Sequence, residues 1–146
     1  MKAKKTLFWT ILVFLALSGP GLADEVLVPD DYLTIQAAID TAVDGDVIIV
    51  TDGTYTGTGN KNLDFGGLAI TVLSENGPQS TIIDCEDDGS AFTFHTDEAQ
   101  DSVVAGFTIT RGSSYNGGAI NCDNSSPSIK DCIFFDNLAG HNGGAI

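Results

Sequence analysis

Short apolar runs separated by turn residues make up most of the chain after Gly45. They occupy residues 47–50, 68–73, 81–83, 91–94, 103–109 and 129–135, with Gly, Asn or Asp between them. Runs of this length with many β-branched residues are typical of strands, and no helical pattern separates them. The start of one run follows another by about 22 residues early in the chain, at Val47 and Ala69 and again at Thr81 and Val103. The pattern predicts an all-β protein without βαβ crossovers.

A repeated motif indicates how these strands are arranged. Gly-Gly-Ala-Ile at residues 117–120 returns at residues 143–146, 26 positions later, and an Asn precedes both copies. A fixed period with Gly-rich turns favours a stacked solenoid over a β-sandwich, because a β-sandwich does not require a motif to repeat at a fixed spacing. We therefore predict a right-handed parallel β-helix over residues 46–146. At the same offset, Phe107 is expected over Ile133 and Ile109 over Phe135.

Residues 24–45 predict a cap for this solenoid. A short strand precedes Ile35, Ala38, Ile39 and Ala42, which follow helical spacing. Asp30 or Asp31 is expected at the N-cap, and Asp44-Gly45 at the stop. An amphipathic capping helix would cover the first coil, because terminal repeats need a polar cap. Since a solenoid stack leaves an open β-edge, further coils are expected beyond residue 146.

Residues 1–23 have the pattern of a signal peptide. Three lysines, at positions 2, 4 and 5, precede the apolar run 7–17, and Gly21-Leu22-Ala23 offers small residues for cleavage. The run is short for a membrane span, which needs about 20 apolar residues. We therefore expect an exported protein, secreted or on the cell surface, with no membrane span once the leader is removed.

The predicted mature chain is strongly acidic and has three cysteines. It keeps all 20 acidic residues of the sequence, against the bases Lys61, Arg111 and Lys130. A surface with this charge excludes nucleic acid as a partner and repels polyanionic sugars unless a cation bridges them. For Cys85, Cys122 and Cys132, two interpretations stay open: a Cys122–Cys132 disulfide, or small buried side chains within the coils.

The same residues resemble known families. The segments Thr-Ile-Gln-Ala-Ala-Ile-Asp (34–40), Gly-Asp-Val-Ile-Ile-Val (45–50) and Gly-Thr-Tyr (53–55) resemble the cap and first coil of secreted pectin-lyase-like β-helix proteins. The Gly-Gly-Ala-Ile copies, with Phe-x-x-Asn at 134–137, look like the repeats of polymorphic outer-membrane proteins. This resemblance implies a secreted or surface-exposed protein, and several such proteins act as adhesins. The autotransporter members carry a C-terminal membrane barrel, which the sequence given does not include.

A catalytic site is not evident in the sequence. The Asp pairs 30–31 and 87–88 fall at the cap and in a turn, and Arg111 is a single arginine at a corner. Gly-His-Asn at 140–142 only partly resembles the Gly-His-Gly element of polygalacturonases. We therefore predict no catalytic residue, no cofactor-binding residue and no metal ligand, and whether the chain is an enzyme stays open.

An acidic turn and several asparagines are the remaining candidates. Carboxylates at Asp84, Glu86 and Asp88, followed by Gly89, approximate the start of a calcium loop, but His95 stands where a bidentate acid is expected. Weak calcium binding or a solvated turn are both open, and a structural role is expected for His95. A second set of residues, at corners of the predicted coils, is expected to form hydrogen-bonded ladders between coils: Asn116, Asn137 and Asn142.

These observations lead to two functional hypotheses. The first is a non-enzymatic secreted or cell-surface module for adhesion, whose partner is a glycan or a surface protein. The alternative is the N-terminal part of a carbohydrate-active enzyme, a polysaccharide lyase or a glycoside hydrolase, with its catalytic coils beyond residue 146.

Overall fold

The structure is a computed structural model that describes residues 23–146, so the predicted signal peptide lies outside the described residues except for Ala23. One short helix and fourteen strands follow one another along this part of the chain. In chain order they are β1 (Glu25–Val28), α1 (Ile35–Ile39), β2 (Val47–Val50), β3 (Gly53–Tyr55), β4 (Leu63–Asp64), β5 (Thr71–Ser74), β6 (Thr81–Asp84), β7 (Phe92–Phe94), β8 (Val103–Ala105), β9 (Thr108–Thr110), β10 (Ser113–Asn116), β11 (Ile120–Cys122), β12 (Ser128–Lys130), β13 (Ile133–Phe135) and β14 (Leu138–Asn142).

The strands form parallel sheets that run along the stack of coils. Sheet A has the order β1-β2-β5-β8-β12, sheet B has β13-β9-β6-β3, and sheet C has β11-β7-β4. The strands β10 and β14 form a small fourth ladder, and all ten named pairings are parallel. After β1 the chain makes four coils, which begin at β2, β5, β8 and β12. The predicted parallel β-solenoid is confirmed.

The register differs by one residue from the sequence expectation. Thr108 pairs with Ile133 and Ile109 with Phe134, an offset of 25, so the predicted Phe107–Ile133 and Ile109–Phe135 pairs are wrong. The Gly-Gly motif does repeat at 26, because Asn116 pairs with Asn142. A bulge between Ser114 and Asn116 takes up the extra residue. The 26-residue repeat of the motif therefore gives the coil length only on the C-terminal side of that bulge.

The early 22-residue recurrences are also corrected. Val47 pairs with Thr71 at an offset of 24, whereas Thr81 lies in sheet B and Val103 in sheet A. The step from Thr71 to Val103 is 32 residues, the longest in sheet A. The larger part of its extra length lies in the turn 75–80 between β5 and β6, where the coil before has only residues 51–52, and a smaller part lies between β7 and β8. We call residues 95–102, which connect β7 to β8, the strap.

The core consists of rows of apolar side chains that point inward from each sheet. In sheet C, Leu63, Phe92 and Ile120 are in register and fully buried. Aromatic rings fill the space between the sheets, with Phe65 and Phe94 in edge contact at 5.0 Å between centroids. Rows of this kind require the outward residues between them to form rows as well, because side chains alternate along each strand.

The helix α1 is present at the predicted position but is shorter than the pattern suggested. Its N-cap is Thr34, whose hydroxyl accepts from the N–H of Ala37, so the predicted cap at Asp30 or Asp31 is wrong. Asp31 instead belongs to the turn after β1, where its carboxylate accepts the N–H of Leu27. The apolar side of α1, with Ile35 and Ile39, is buried in the core. Its function as a cap stays a prediction.

Candidate recognition face

The outer surface of sheet C carries a row of polar side chains. Asp64 on β4 pairs with Thr93 on β7, and Thr93 pairs with Asn121 on β11. Each of the three is half-buried and alternates with a buried core residue, so their side chains point outward. Adjacent strands lie about 4.8 Å apart, which places the three groups in one line along the stack. We call this surface face C.

The strap adds a histidine to one end of this row. His95 follows β7 directly, and its Nε2 lies 3.2 Å from Oδ2 of Asp64 on the preceding coil. Its Nδ1 lies 3.2 Å from the hydroxyl of Thr96. The other carboxylate oxygen of Asp64 accepts the N–H of Gly66 at 2.8 Å, which fixes its orientation. About half of each side chain stays exposed, 49% for His95 and 40% for Asp64, so a ligand could reach both.

A single buried carboxylate holds the strap in place. Glu98 is 2% exposed and accepts hydrogen bonds from the N–H of Gly67 at 3.0 Å, the N–H of Thr96 at 2.8 Å and the hydroxyl of Ser125 at 2.8 Å. Burial raises the pKa of Glu98, but these hydrogen bonds, with its own backbone N–H, outweigh it, and the net pKa lies below its usual range. Glu98 is therefore ionised at neutral pH and joins three successive coils.

Concave surfaces lie at both ends of face C. Beside Asp64, two cavities of about 330 and 440 Å³ share Gln36 and Asp64 in their walls. Beyond Asn121, a third of about 430 Å³ is lined by the side chains of Asn116, Asn121, Asp123 and Asn142. Amide and carboxylate groups with little aromatic surface suit a ligand rich in hydroxyl groups or a polar peptide.

The acidic turn after β6 is occupied by the protein's own bases. Arg111 makes a bidentate pair with Asp84, with Nε–Oδ1 at 2.8 Å and Nη2–Oδ2 at 2.7 Å. Lys61 lies 3.4 Å from Glu86 and 3.2 Å from Asp88. Within residues 23–146, no group of three or more His, Cys, Asp or Glu side chains is placed to hold a metal ion. Calcium binding at this turn stays a prediction, and it would have to compete with these ion pairs.

The Arg111 pair also accounts for the charge state of the turn. The hydrogen bond from Arg111 holds the pKa of Asp84 below its usual range, against a smaller rise from burial. Beneath the turn, burial raises the pKa of the Cys85 thiol to about 12. The carboxylate therefore stays an acceptor and the thiol stays protonated at neutral pH, which gives neither an activated nucleophile nor a general acid at this position.

The three corner asparagines have different roles. Asn137, the last residue of Phe-x-x-Asn, accepts the N–H of Gly112 at 2.8 Å and donates to the carbonyl of Ile109 at 2.9 Å. It thus links two coils, as expected, but through backbone groups and not through another asparagine. Asn116 and Asn142 are register partners whose side chains line the cavity beyond Asn121.

The other tyrosines, aspartates and cysteines considered for a site are not part of the row Asp64, Thr93 and Asn121. Asp30 and Asp31 lie in the turn after β1, and Tyr55 is a buried tyrosine whose hydroxyl donates to the carbonyls of Val28 and Thr51. Tyr115 is 69% exposed and stacks on His141 with 5.3 Å between ring centroids. All three cysteines are free, with Cys85 buried and Cys122 exposed, so no Cys122–Cys132 disulfide is present.

Sequence reasoning missed the pair of Asp64 and His95. The two residues are 31 positions apart, and the segment between them includes the turn 75–80, which is longer than the corresponding turn 51–52 of the coil before. One signal was present: β4 and β7 are in register, so any polar residue flanking β7 lies near the polar residue of β4. That register could be deduced only after β4, a strand of two residues, was recognised.

Comparisons with known proteins assign no family to the chain. No family model matches it, and no curated protein and no solved structure matches it either. Among the helical residues that the structure describes, none belongs to a segment long and apolar enough to cross a membrane.

Proposed function

We propose that this chain is a non-enzymatic recognition module, exported to the cell surface or the medium, that binds a glycan or a surface protein through face C. The observation that carries the proposal is the straight row of Asp64, Thr93 and Asn121, with His95, the first residue after β7, in contact with Asp64. Functional residues concentrate on irregular segments that a rigid scaffold positions. The solenoid coils are such a scaffold, and the strap is the irregular segment.

The composition supports a neutral ligand. The chain has a formal net charge of −14, and the predicted mature part keeps every acidic residue. A polyanion would be repelled over the whole surface, whereas hydroxyl or amide groups of a neutral glycan can bond to carboxylate, amide and imidazole side chains.

The alternative, the N-terminal part of a carbohydrate-active enzyme, has one observation in its favour. A carboxylate and an imidazole lie in contact beside two cavities, and such pairs serve as general bases in many enzymes. If this pair, and not further coils beyond residue 146, supplied the catalytic residues, reducing sugar would be released from a polysaccharide and Asp64→Asn would abolish the release. The first proposal predicts binding without release.

Paired substitutions on two faces test the proposal. Thr93→Lys places a long charged side chain in the middle of face C, and Thr71→Lys does the same on the outward side of sheet A. The exported full chain is assayed on immobilised neutral polysaccharides, on polyuronates and on surface-protein extracts. We expect wild type to bind a neutral glycan or a protein, Thr93→Lys to bind about tenfold more weakly, a loss of about 1.4 kcal/mol, and Thr71→Lys to bind as wild type does.

Two results would contradict the proposal. In one, wild type binds nothing on any of the three supports. In the other, the two lysine variants bind equally, which would place the ligand elsewhere on the molecule.

A further inference from the structure

The strap is attached to the rest of the molecule in a way that depends on one carboxylate. Its side-chain contacts through Glu98 reach Gly67 on one neighbouring coil and Ser125 on the other. The carbonyl of Glu98 also accepts the N–H of Ser126 at 2.7 Å. No other charged group in the described residues is as buried as this one, since Glu98 is 2% exposed.

Ionisation of Glu98 strengthens this set of bonds. A carboxylate offers only acceptors, and here two N–H groups and one hydroxyl point at it. Protonation would place a donor beside these donors and remove the charge that strengthens the three bonds, and the hydroxyl of Ser125 has the carbonyl of Asp123, 3.2 Å away, as another acceptor. The contacts at the C-terminal end of the strap are different in kind: the hydroxyl of Ser102 donates to the carbonyl of Leu68 and that of Ser128 to the carbonyl of Gln100, and neither bond titrates.

We propose that residues 95–102 form an acid-loosened strap: protonation of Glu98 weakens its side-chain bonds to Gly67, Thr96 and Ser125 and loosens the segment beside the His95–Asp64 pair. The segment stays attached at β7, at Ser102 and through the bond from the N–H of Ser126 to the carbonyl of Glu98, so it loosens without leaving the stack. Resting on the proposed function, this loosening makes the position of His95 on face C less fixed and weakens ligand binding in acid. The strap would then act as a built-in release device for an exported protein that meets acidic surroundings.

The direction of the pH dependence follows from the hydrogen bonds. The pKa of Glu98 is lowered in the folded protein, so its contribution to stability is present above the unfolded value of about 4.3 and is lost as the pH falls through the lower folded value. Other ionisable side chains lie around the strap: Asp64 and His95 in the pair, Asp97 and Asp101 on the strap, Asp123 beside Ser125, and Cys122 on β11, whose pKa is raised by burial and by the charge of Glu98. A variant must therefore separate Glu98 from them.

NMR titration of the amide groups of Gly67 and Thr96 tests the strap without any ligand. In the unmodified chain we expect both resonances to move cooperatively as the pH falls below about 4.3. Glu98→Gln removes the titrating group, so both resonances should stay in place over the same range. Asp101→Asn, an exposed substitution on the same strap, should titrate as the unmodified chain does.

Two outcomes would overturn the proposal: equal titration of the two amides in Glu98→Gln and the unmodified chain, or no movement in the unmodified chain. If Glu98→Gln does not fold, the carboxyl-carbon resonance of Glu98 in the unmodified chain decides, since a midpoint above about 4.3 contradicts the strap. Because these readouts need no ligand, a chain that titrates as expected but binds nothing would refute the proposed function and keep the strap.

Discussion

At the scale of single residues, polar side chains complete hydrogen bonds that the backbone leaves open between coils. Asn137 bonds to an N–H and a carbonyl of the coil before it, and Glu98 bonds to two N–H groups from different coils. Corners of a solenoid turn the backbone away from the sheets, so their N–H and C=O groups need such partners. Within the described residues, no buried side-chain nitrogen or oxygen lacks a hydrogen-bond partner.

Asn137→Ala tests this role. The substitution leaves the N–H of Gly112 and the carbonyl of Ile109 without their side-chain partner, so we expect a loss of about 1–3 kcal/mol in the free energy of unfolding. Urea denaturation measures the loss. Gln79→Ala is the control, because Gln79 is an exposed amide residue whose backbone is not left-handed, and it should change stability by less than about 0.5 kcal/mol. Equal losses in both variants would show that Asn137 does not link the coils.

At the scale of elements, the positions of the strands could be predicted from the sequence, whereas the register between them could be predicted only in part. The apolar runs correspond to strands in sheets A, B and C, because short β-branched runs between turn residues seldom form any other secondary structure. The register was off by one between β9 and β13, because the Gly-Gly motif used to set it lies beyond the bulge after Ser114. The helix N-cap was misplaced because Asp31 caps the turn after β1 and leaves Thr34 to begin the helix.

The N-terminal edge of sheet C shows how an element protects its neighbour. The side-chain amide of Gln36 on α1 accepts the N–H of Asp64 at 2.9 Å and donates to its carbonyl at 3.0 Å, so it takes the position of a further strand beside β4. An unprotected edge of this kind invites pairing with other chains. A sequence pattern can predict that α1 has an apolar side, but not which polar side chain meets the strand.

Gln36→Glu tests this contact. The glutamate keeps the shape and the acceptor but cannot donate to the carbonyl of Asp64 or to the carboxylate of Asp40, so we expect unfolding to become easier by about 1–3 kcal/mol and aggregation to increase. Urea midpoints and light scattering report the two effects. Gln79→Glu, at an exposed position in the turn before β6, makes the same chemical change and should leave both unaltered. If the two variants behave alike, the loss of stability comes from the added charge and not from exposure of the edge of β4.

At the scale of the whole molecule, stacking turns scattered residues into a surface. Face C combines Asp64, Thr93 and Asn121 from three coils, none of which is near another in sequence. The solenoid class could be predicted from the repeat, but the face could not, because a row is defined only when every register is known. The turn 75–80 and the strap together make one step of sheet A longer than the others, and no fixed period could have anticipated them.

The most direct test of this account is a crosslink between two positions of the row. Thr93→Cys combined with Asn121→Cys places two thiols on adjacent strands about 4.8 Å apart, within the range that a disulfide spans. We predict that mild oxidation joins them in the folded chain, detected by mass spectrometry of the linked peptides. Thr93→Cys alone keeps the native Cys122, which is one residue out of register and points to the other side of β11, so it should stay reduced within the chain. Ready linkage of the single variant to Cys122, or a folded double variant that stays reduced, would contradict the row on which face C depends.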